Sequence, residues 1–162
     1  MICRESRNRL ATALRHYASG QISNDDLDDV EVDWRDRGAI AVQGMSWCLY
    51  DDTRNHYVEN RLPKGSDARK TVARWILFLH SDMEYMWPEY SFRQIHMSPD
   101  NFVMNFLTLG LWKIRALNRK SRWEQFLEAG EFSVWPFLLQ SEYQHTLSNP
   151  KFLNAQNDLA AS

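Results

Sequence analysis

The side chains best suited to chemistry in this sequence fall into three short patterns. Glu142-Tyr143-Gln144-His145 sets a carboxylate and an imidazole three residues apart, on one face if the segment is helical. That spacing is half the ligand set of a carboxylate-bridged di-iron bundle, which needs a second Glu-x-x-His and two further glutamates. No second copy exists: the residues three before His16, His56, His80 and His96 are Ala13, Thr53, Leu77 and Arg93. No metal and no cofactor are therefore expected, and the pair reads as part of a solvated helix face.

The second pattern is His80, Asp82 and Glu84, followed by Tyr85 and Trp87. On a helix, His80 and Glu84 share a face and Asp82 points away, and two ligands do not hold a zinc ion that takes three or four. His80, Asp82, Glu84, Tyr85 and Trp87 form the candidate small-ligand site. The alternative is that charged residues complement the chain where a core helix leaves the interior, with His80 at the helix C-terminus. No serine-nucleophile pattern, P-loop or dinucleotide fingerprint occurs, so no catalytic residue is assigned and a non-enzyme is favoured. Cys3 and Cys48 form no CxxC pair; Cys48, between Trp47 and Leu49, reads as a buried structural thiol.

The third pattern is charge segregation. From Asp25 to Asp36 there are seven acids and one base, Arg35, a local balance of −6. From Asn101 to Trp123 there is no acid, while Lys113, Arg115, Arg119, Lys120 and Arg122 give +5. Candidate partner-binding residues are therefore Asp25, Asp26, Asp28 and Asp29 on the acidic side and Arg115, Arg119 and Arg122 on the basic side. An acidic segment can mimic a polyanion or block a basic active site, as in small immunity proteins and antitoxins. The basic face around Trp112 could grip phosphates, but the whole chain carries −2 with a pI near 6.2, which argues against a dedicated nucleic-acid clamp. The ordinary account of either block is a solvated face.

These residues need a frame. At 162 residues the chain fits one domain and can bury a core without disulfide or metal staples. With 21 aromatic residues and only 11 Gly plus Pro, it is not a disordered segment. The longest apolar run, Phe102 to Trp112, is too short for a bilayer, and the N-terminus has no signal-peptide core. A cytoplasmic protein without membrane insertion is expected, and self-association is left open.

The periodicity predicts an all-α bundle of six to eight helices over residues 1–154, with 155–162 as a frayed tail. Leu10, Leu14 and Tyr17 mark a helix from Glu5 to Ala18 stopped by Gly20. Ser23 or Asn24 caps a short helix, and Asp36 to Asp51 fits a helix better than a strand, although its alternation leaves both open. Ser66 or Asp67 starts a strong helix whose stripe, Val72, Ile76, Leu79 and Met83, runs on until Trp87-Pro88 ends it. Ser98-Pro99-Asp100 starts another, with Val103, Leu107, Gly110, Ile114 and Leu117 on one face. Ser121-Arg122-Trp123-Glu124 has the form of a capping box for a separate helix closed by Gly130. Trp135-Pro136 breaks the chain, and a helix near Leu139 to Leu147 follows. The two Trp-Pro pairs share too little to be a repeat.

Several fragments together resemble a known group. They are Arg7-x-x-Leu10-x-x-x-Leu14, Gly20-x-Ile22-Ser23-Asn24-Asp25, Trp47-x-x-Tyr50-Asp51, Phe78-Leu79-x-Ser81-Asp82-x-Glu84-Tyr85-x-Trp87-Pro88 and Val134-Trp135-Pro136-Phe137. The arrangement is similar to a group of uncharacterised small bacterial proteins, some carried on mobile integron cassettes. That resemblance implies a bacterial or environmental origin and a soluble accessory role, and it supplies no catalytic residue. The sequence thus points first to a protein-binding accessory protein. Ligand binding or catalysis around His80 to Trp87 is the alternative, and nucleic-acid binding by the Lys113 to Arg122 face comes third.

Overall fold

A computed structural model describes residues 1–50, 54–58, 62–63, 65–89 and 111–150, with backbone alone at 111–116 and 119. Among these residues there are six α-helices and no strand, the expected all-α class. None of these helices is long and apolar enough to cross a membrane. The proposed tail and the Ser98-Pro99 helix start lie outside the described residues.

Helix α1 (Arg4–Ala18) lays Leu10, Leu14 and Tyr17, none of them exposed, against α4 (Asp67–Leu79). From α4 come Val72, Trp75, Phe78 and Leu79, all buried. Each fully buried Leu or Phe contributes about 1.5–3 kcal/mol, so this pair forms the centre of the core. Gly20 ends α1 as expected: its φ of +73° turns the chain back, and Gln21 N–H donates to His16 O at 2.9 Å. Arg69 of α4 donates to Ala18 O, taking another of the carbonyls that the helix end leaves open.

Helix α2 (Asn24–Asp28) begins with a capping box, in which Ser23 and Asp26 satisfy each other's backbone N–H groups. Its apolar anchor is Leu27. Helix α3 (Arg37–Ser46) is capped by Asp36, whose Oδ1 accepts from Gly38 and Ala39 N–H at 3.1 Å each. The ambiguous stretch after Asp36 is therefore helix, shorter than expected, and it tightens into a 3₁₀ turn at Trp47–Leu49. With three residues per turn, those side chains spread around the axis. Trp47 and Leu49 are half-buried and Cys48 faces solvent, which corrects its expected burial.

Two further boundaries differ from expectation. Helix α4 stops at Leu79 instead of running to Trp87, and residues 82–86 carry no helix. The reason lies on α1. Arg4 donates to Leu79 O and Ser81 O, both at 2.6 Å, and Arg7 donates to Ser81 O and Met83 O at 3.2 and 2.9 Å. Those guanidinium groups take the carbonyls that a continuing helix would use. Helix α5 (Leu111–Glu128) runs straight through Ser121, so the expected capping box there starts nothing. No Gly or Pro interrupts Leu111 to Glu128, and Leu, Ala, Arg, Lys, Glu and Gln are good helix formers.

After α5 a 3₁₀ turn (Phe132–Val134) leads through a cis Trp135-Pro136 peptide to α6 (Gln140–Ser148). Glu142 Oε2 accepts from Leu138 and Leu139 N–H at 2.9 and 3.2 Å and fixes the start of α6. The two Trp-Pro elbows pack on each other. Trp87 Nε1 donates to Phe137 O, and Trp135 Nε1 donates to the Tyr85 hydroxyl, both at 3.1 Å. Edge-to-face contacts of Trp135 with Trp75 and Tyr85, and of Phe78 with Phe137, join these elbows to α4.

Candidate functional site

Beneath the surface features lies a buried joint that holds them in place. Arg7 and Asp36 face each other with both side chains 1% exposed, in a forked pair at 2.8 and 3.1 Å. Burial pushes the Asp36 carboxyl up, but hydrogen bonds from Arg7 and the Cys3 N–H outweigh it and hold the group below its ordinary value. Arg7 also lies over the Phe78 ring at 5.0 Å. Only a glycine fits beside it: a Cβ on Gly38 would sit 2.8 Å from Arg7 Nη2 and 2.9 Å from Phe78 Cε1. One ion pair thus ties α1, the start of α3 and the 81–83 segment together.

The acidic segment is divided by this joint. Asp36 is buried with Arg7, and Asp33 is engaged by Arg35, whose hydrogen bonds hold its carboxyl down to about 2. Asp25, Asp26, Asp28, Asp29 and Glu31 remain exposed, and none forms an ion pair with another described residue. Asp26 also serves as the capping acceptor of α2, and its hydrogen bonds from Ser23 lower its carboxyl. Asp28 accepts from the Tyr50 hydroxyl at 3.4 Å.

Next to this acidic stretch stands Trp34, 80% exposed. Its backbone is fixed on both sides: Asp33 N–H donates to Ser6 Oγ at 2.7 Å, Asp33 and Arg35 close a fork, and Asp36 is locked to Arg7. A large apolar side chain held out by a rigid frame is unusual on a surface that faces only water. The sequence holds seven tryptophans, and that count gave no sign of which one would be exposed. Trp34 is the functional candidate that sequence reasoning missed; its place inside the charged run, between Asp33 and Arg35, was its one signal.

The basic side is less complete. Arg122 and Lys120 are exposed on α5, while the side chains of Lys113, Arg115 and Arg119 lie outside the description. Positions 115, 119 and 122 share one face of the continuous helix.

The expected ligand cluster is dispersed by the fold. Tyr85 and Trp87 are 5% and 0% exposed and belong to the elbow packing, where burial raises the Tyr85 phenol above its ordinary value. Glu84 meets the N-terminal amine at 3.3 Å on the surface. His80 and Asp82 go elsewhere: they line a cleft of about 450 Å³ with Leu77, Ser81 and Met83 on one wall. The other wall is α6, contributing Ser141, Glu142, His145, Thr146 and Asn149, with Pro150 beyond. The two patterns read separately in the sequence, Glu142/His145 and His80/Asp82, therefore share one cleft.

Outside that lining, exposed Arg15 approaches His80, with Nη2 3.3 Å from His80 Nε2. Arginine only donates, so Nε2 accepts and a neutral ring carries its proton on Nδ1. Burial, then Arg15 and Arg4, lower the His80 pKa and keep the ring neutral near pH 7. Nδ1 is buried without a hydrogen-bond partner. Asp82 is held by Arg4 at 2.9 Å. No group of three His, Cys, Asp or Glu among the described residues could hold a metal ion.

The fragments behind the sequence resemblance meet in this framework: Arg7 on Ser81, Tyr85 on Trp135, Trp87 on Phe137. They act as joints. No protein-family model, curated protein or solved structure matches this chain.

Proposed function

We propose that this chain is a non-catalytic interaction module that binds a basic surface on a protein partner, with Trp34 as the anchor and the 25–31 acids as the guiding field. The observation that carries this reading is Trp34, 80% exposed on a backbone clamped at both ends. Interface hot spots are enriched in tryptophan, and a rigid anchor binds without the cost of ordering a loop. The five exposed acids beside it supply a negative potential that speeds encounter with a basic partner and rejects acidic ones. Occlusion of a basic site, the mode of immunity proteins and antitoxins, is the corresponding action, and it fits an accessory role on mobile DNA.

The test is affinity capture from nuclease-treated bacterial lysate with three baits: the wild type, Trp34→Ala, and a triple reversal of Asp25, Asp28 and Asp29 to Lys. Asp26 is left alone because it caps α2. A protein held by the wild type should be lost from both variants, with Trp34→Ala weakening the purified complex about thirtyfold, as a 2 kcal/mol anchor requires. Undiminished affinity in Trp34→Ala, with circular dichroism unchanged, overturns the proposal.

A further inference from the structure

The cleft between the end of α4 and α6 shares no residue with the Trp34 surface and carries its own assignment. Its volume, about 450 Å³, is that of a small-molecule pocket. Leu77, Met83 and Pro150 provide apolar wall. The charged side chains of the lining are the carboxylates Asp82 and Glu142, and among the described residues no lysine or arginine joins them. The two differ in what they still lack. Asp82 is paired with Arg4 at 2.9 Å. Half-buried Glu142 spends only Oε2 on the Leu138 and Leu139 N–H groups, and its Oε1 has neither hydrogen bond nor ion pair among the described residues. One turn on along the same face of α6, the His145 ring is likewise without a partner among them. The α6 wall is thus a carboxylate oxygen and an imidazole with no cation to serve. Since no three ligands could hold a metal ion among the described residues, the cation that fits is organic.

We infer that this cleft binds a small organic amine, its apolar body against Leu77, Met83 and Pro150 and its ammonium head on the Glu142–His145 face of α6. An ammonium group carries three donors and no acceptor: one gives Glu142 Oε1 a charge-assisted hydrogen bond, and a neutral imidazole offers a ring nitrogen to another. The opposite wall adds no competing charge. Arg4 is neutralised by Asp82, Arg15 stands outside the lining beyond His80, and the His80 ring is neutral. A carboxylate of the same shape would meet Glu142 as a like charge.

The experiment uses three compounds with similar bodies and three heads: phenethylamine, phenylacetamide and phenylacetate. Binding is followed by amide chemical shifts in the full chain. Phenethylamine should give saturable shifts confined to residues 77–83 and 141–149. It should bind about tenfold tighter than the amide, the margin of a charge-assisted over a neutral hydrogen bond, and phenylacetate should give no shifts. Glu142→Gln keeps an oxygen for the Leu138 and Leu139 N–H groups, so the start of α6 survives, and it should reduce the amine to the level of the amide. Ser141→Trp, at an exposed position of the lining, fills the cleft and should abolish the shifts. Equal or tighter binding of the amide or the carboxylate, an amine preference surviving in Glu142→Gln, or shifts unchanged in Ser141→Trp would overturn the assignment, as would no saturable shift from any compound.

Discussion

Replacing Asp36 with Asn tests the joint on which the described fold depends. Asn keeps an oxygen for the Gly38 and Ala39 N–H groups, so the α3 cap survives, but it removes the only carboxylate among the described residues that is hydrogen-bonded to Arg7. Arg7 is then a guanidinium 1% exposed with no counter-charge, and an amide N–H₂ faces its donors. Breaking a buried pair from one side costs about 3–5 kcal/mol, a large part of a stability of roughly 5–15 kcal/mol. With a urea slope of about 1.5–2 kcal/mol/M, the unfolding midpoint should fall by roughly 1.5–3 M, followed by circular dichroism. Asp33→Asn, on the partly exposed Arg35 fork, is the control and should lower the midpoint much less. The same pair fixes a pH dependence. Because the folded Asp36 pKa is depressed, its contribution is complete above the unfolded value of about 3.9 and disappears as pH falls through the folded value. Wild-type stability should therefore drop below about pH 4 by more than that of Asp36→Asn. A midpoint loss no larger than that of Asp33→Asn would refute the claim that this pair organises the joint.

Two other outcomes follow from the packing. Gly38→Ala should destabilise by about 1–3 kcal/mol in thermal melts, although helix propensity alone predicts a gain of about 1 kcal/mol, because its Cβ would collide with Arg7 and Phe78. Tyr85→Phe should cost about 1–3 kcal/mol in urea titrations, since it strips the buried Trp135 indole of its acceptor; a neutral result would mean that the elbows are held by ring packing alone.

Helix starts were legible in the sequence because their causes are local: Ser23, Asp36 and Ser66 each satisfy N–H groups two or three residues ahead. Gly20 likewise marks its own stop. The end of α4 was not legible, because apolar spacing continues through Met83 while the stop is imposed by Arg4 and Arg7, more than seventy residues earlier. Ser121 shows the converse error, a local signature that means nothing without a break before it. Of the expected ligand cluster, His80 and Asp82 line the cleft while Tyr85 and Trp87 are buried in the elbow packing, a division the sequence did not signal, since aromatic residues at a turn look alike whether they face a cleft or a second turn. That Glu142 and His145 would face His80 is a matter of tertiary packing across some sixty residues, and spacing does not encode it.

The arginine clamps on the 79–83 segment have a consequence for how this chain tolerates change. They grip main-chain carbonyls, which every amino acid possesses, so the path of the 79–83 turn is set from α1 as well as by the hydroxyl of Ser81 within it. Glu84 and Met86 point outward from that path. Those positions are free to drift in chemistry without altering the backbone that carries them, whereas a conservative exchange of Arg4 or Arg7 for lysine, with its single nitrogen, would loosen a turn it never neighbours in sequence. New surface properties can therefore be acquired at this corner of the molecule by single substitutions, with the scaffold held constant from the far end of the chain.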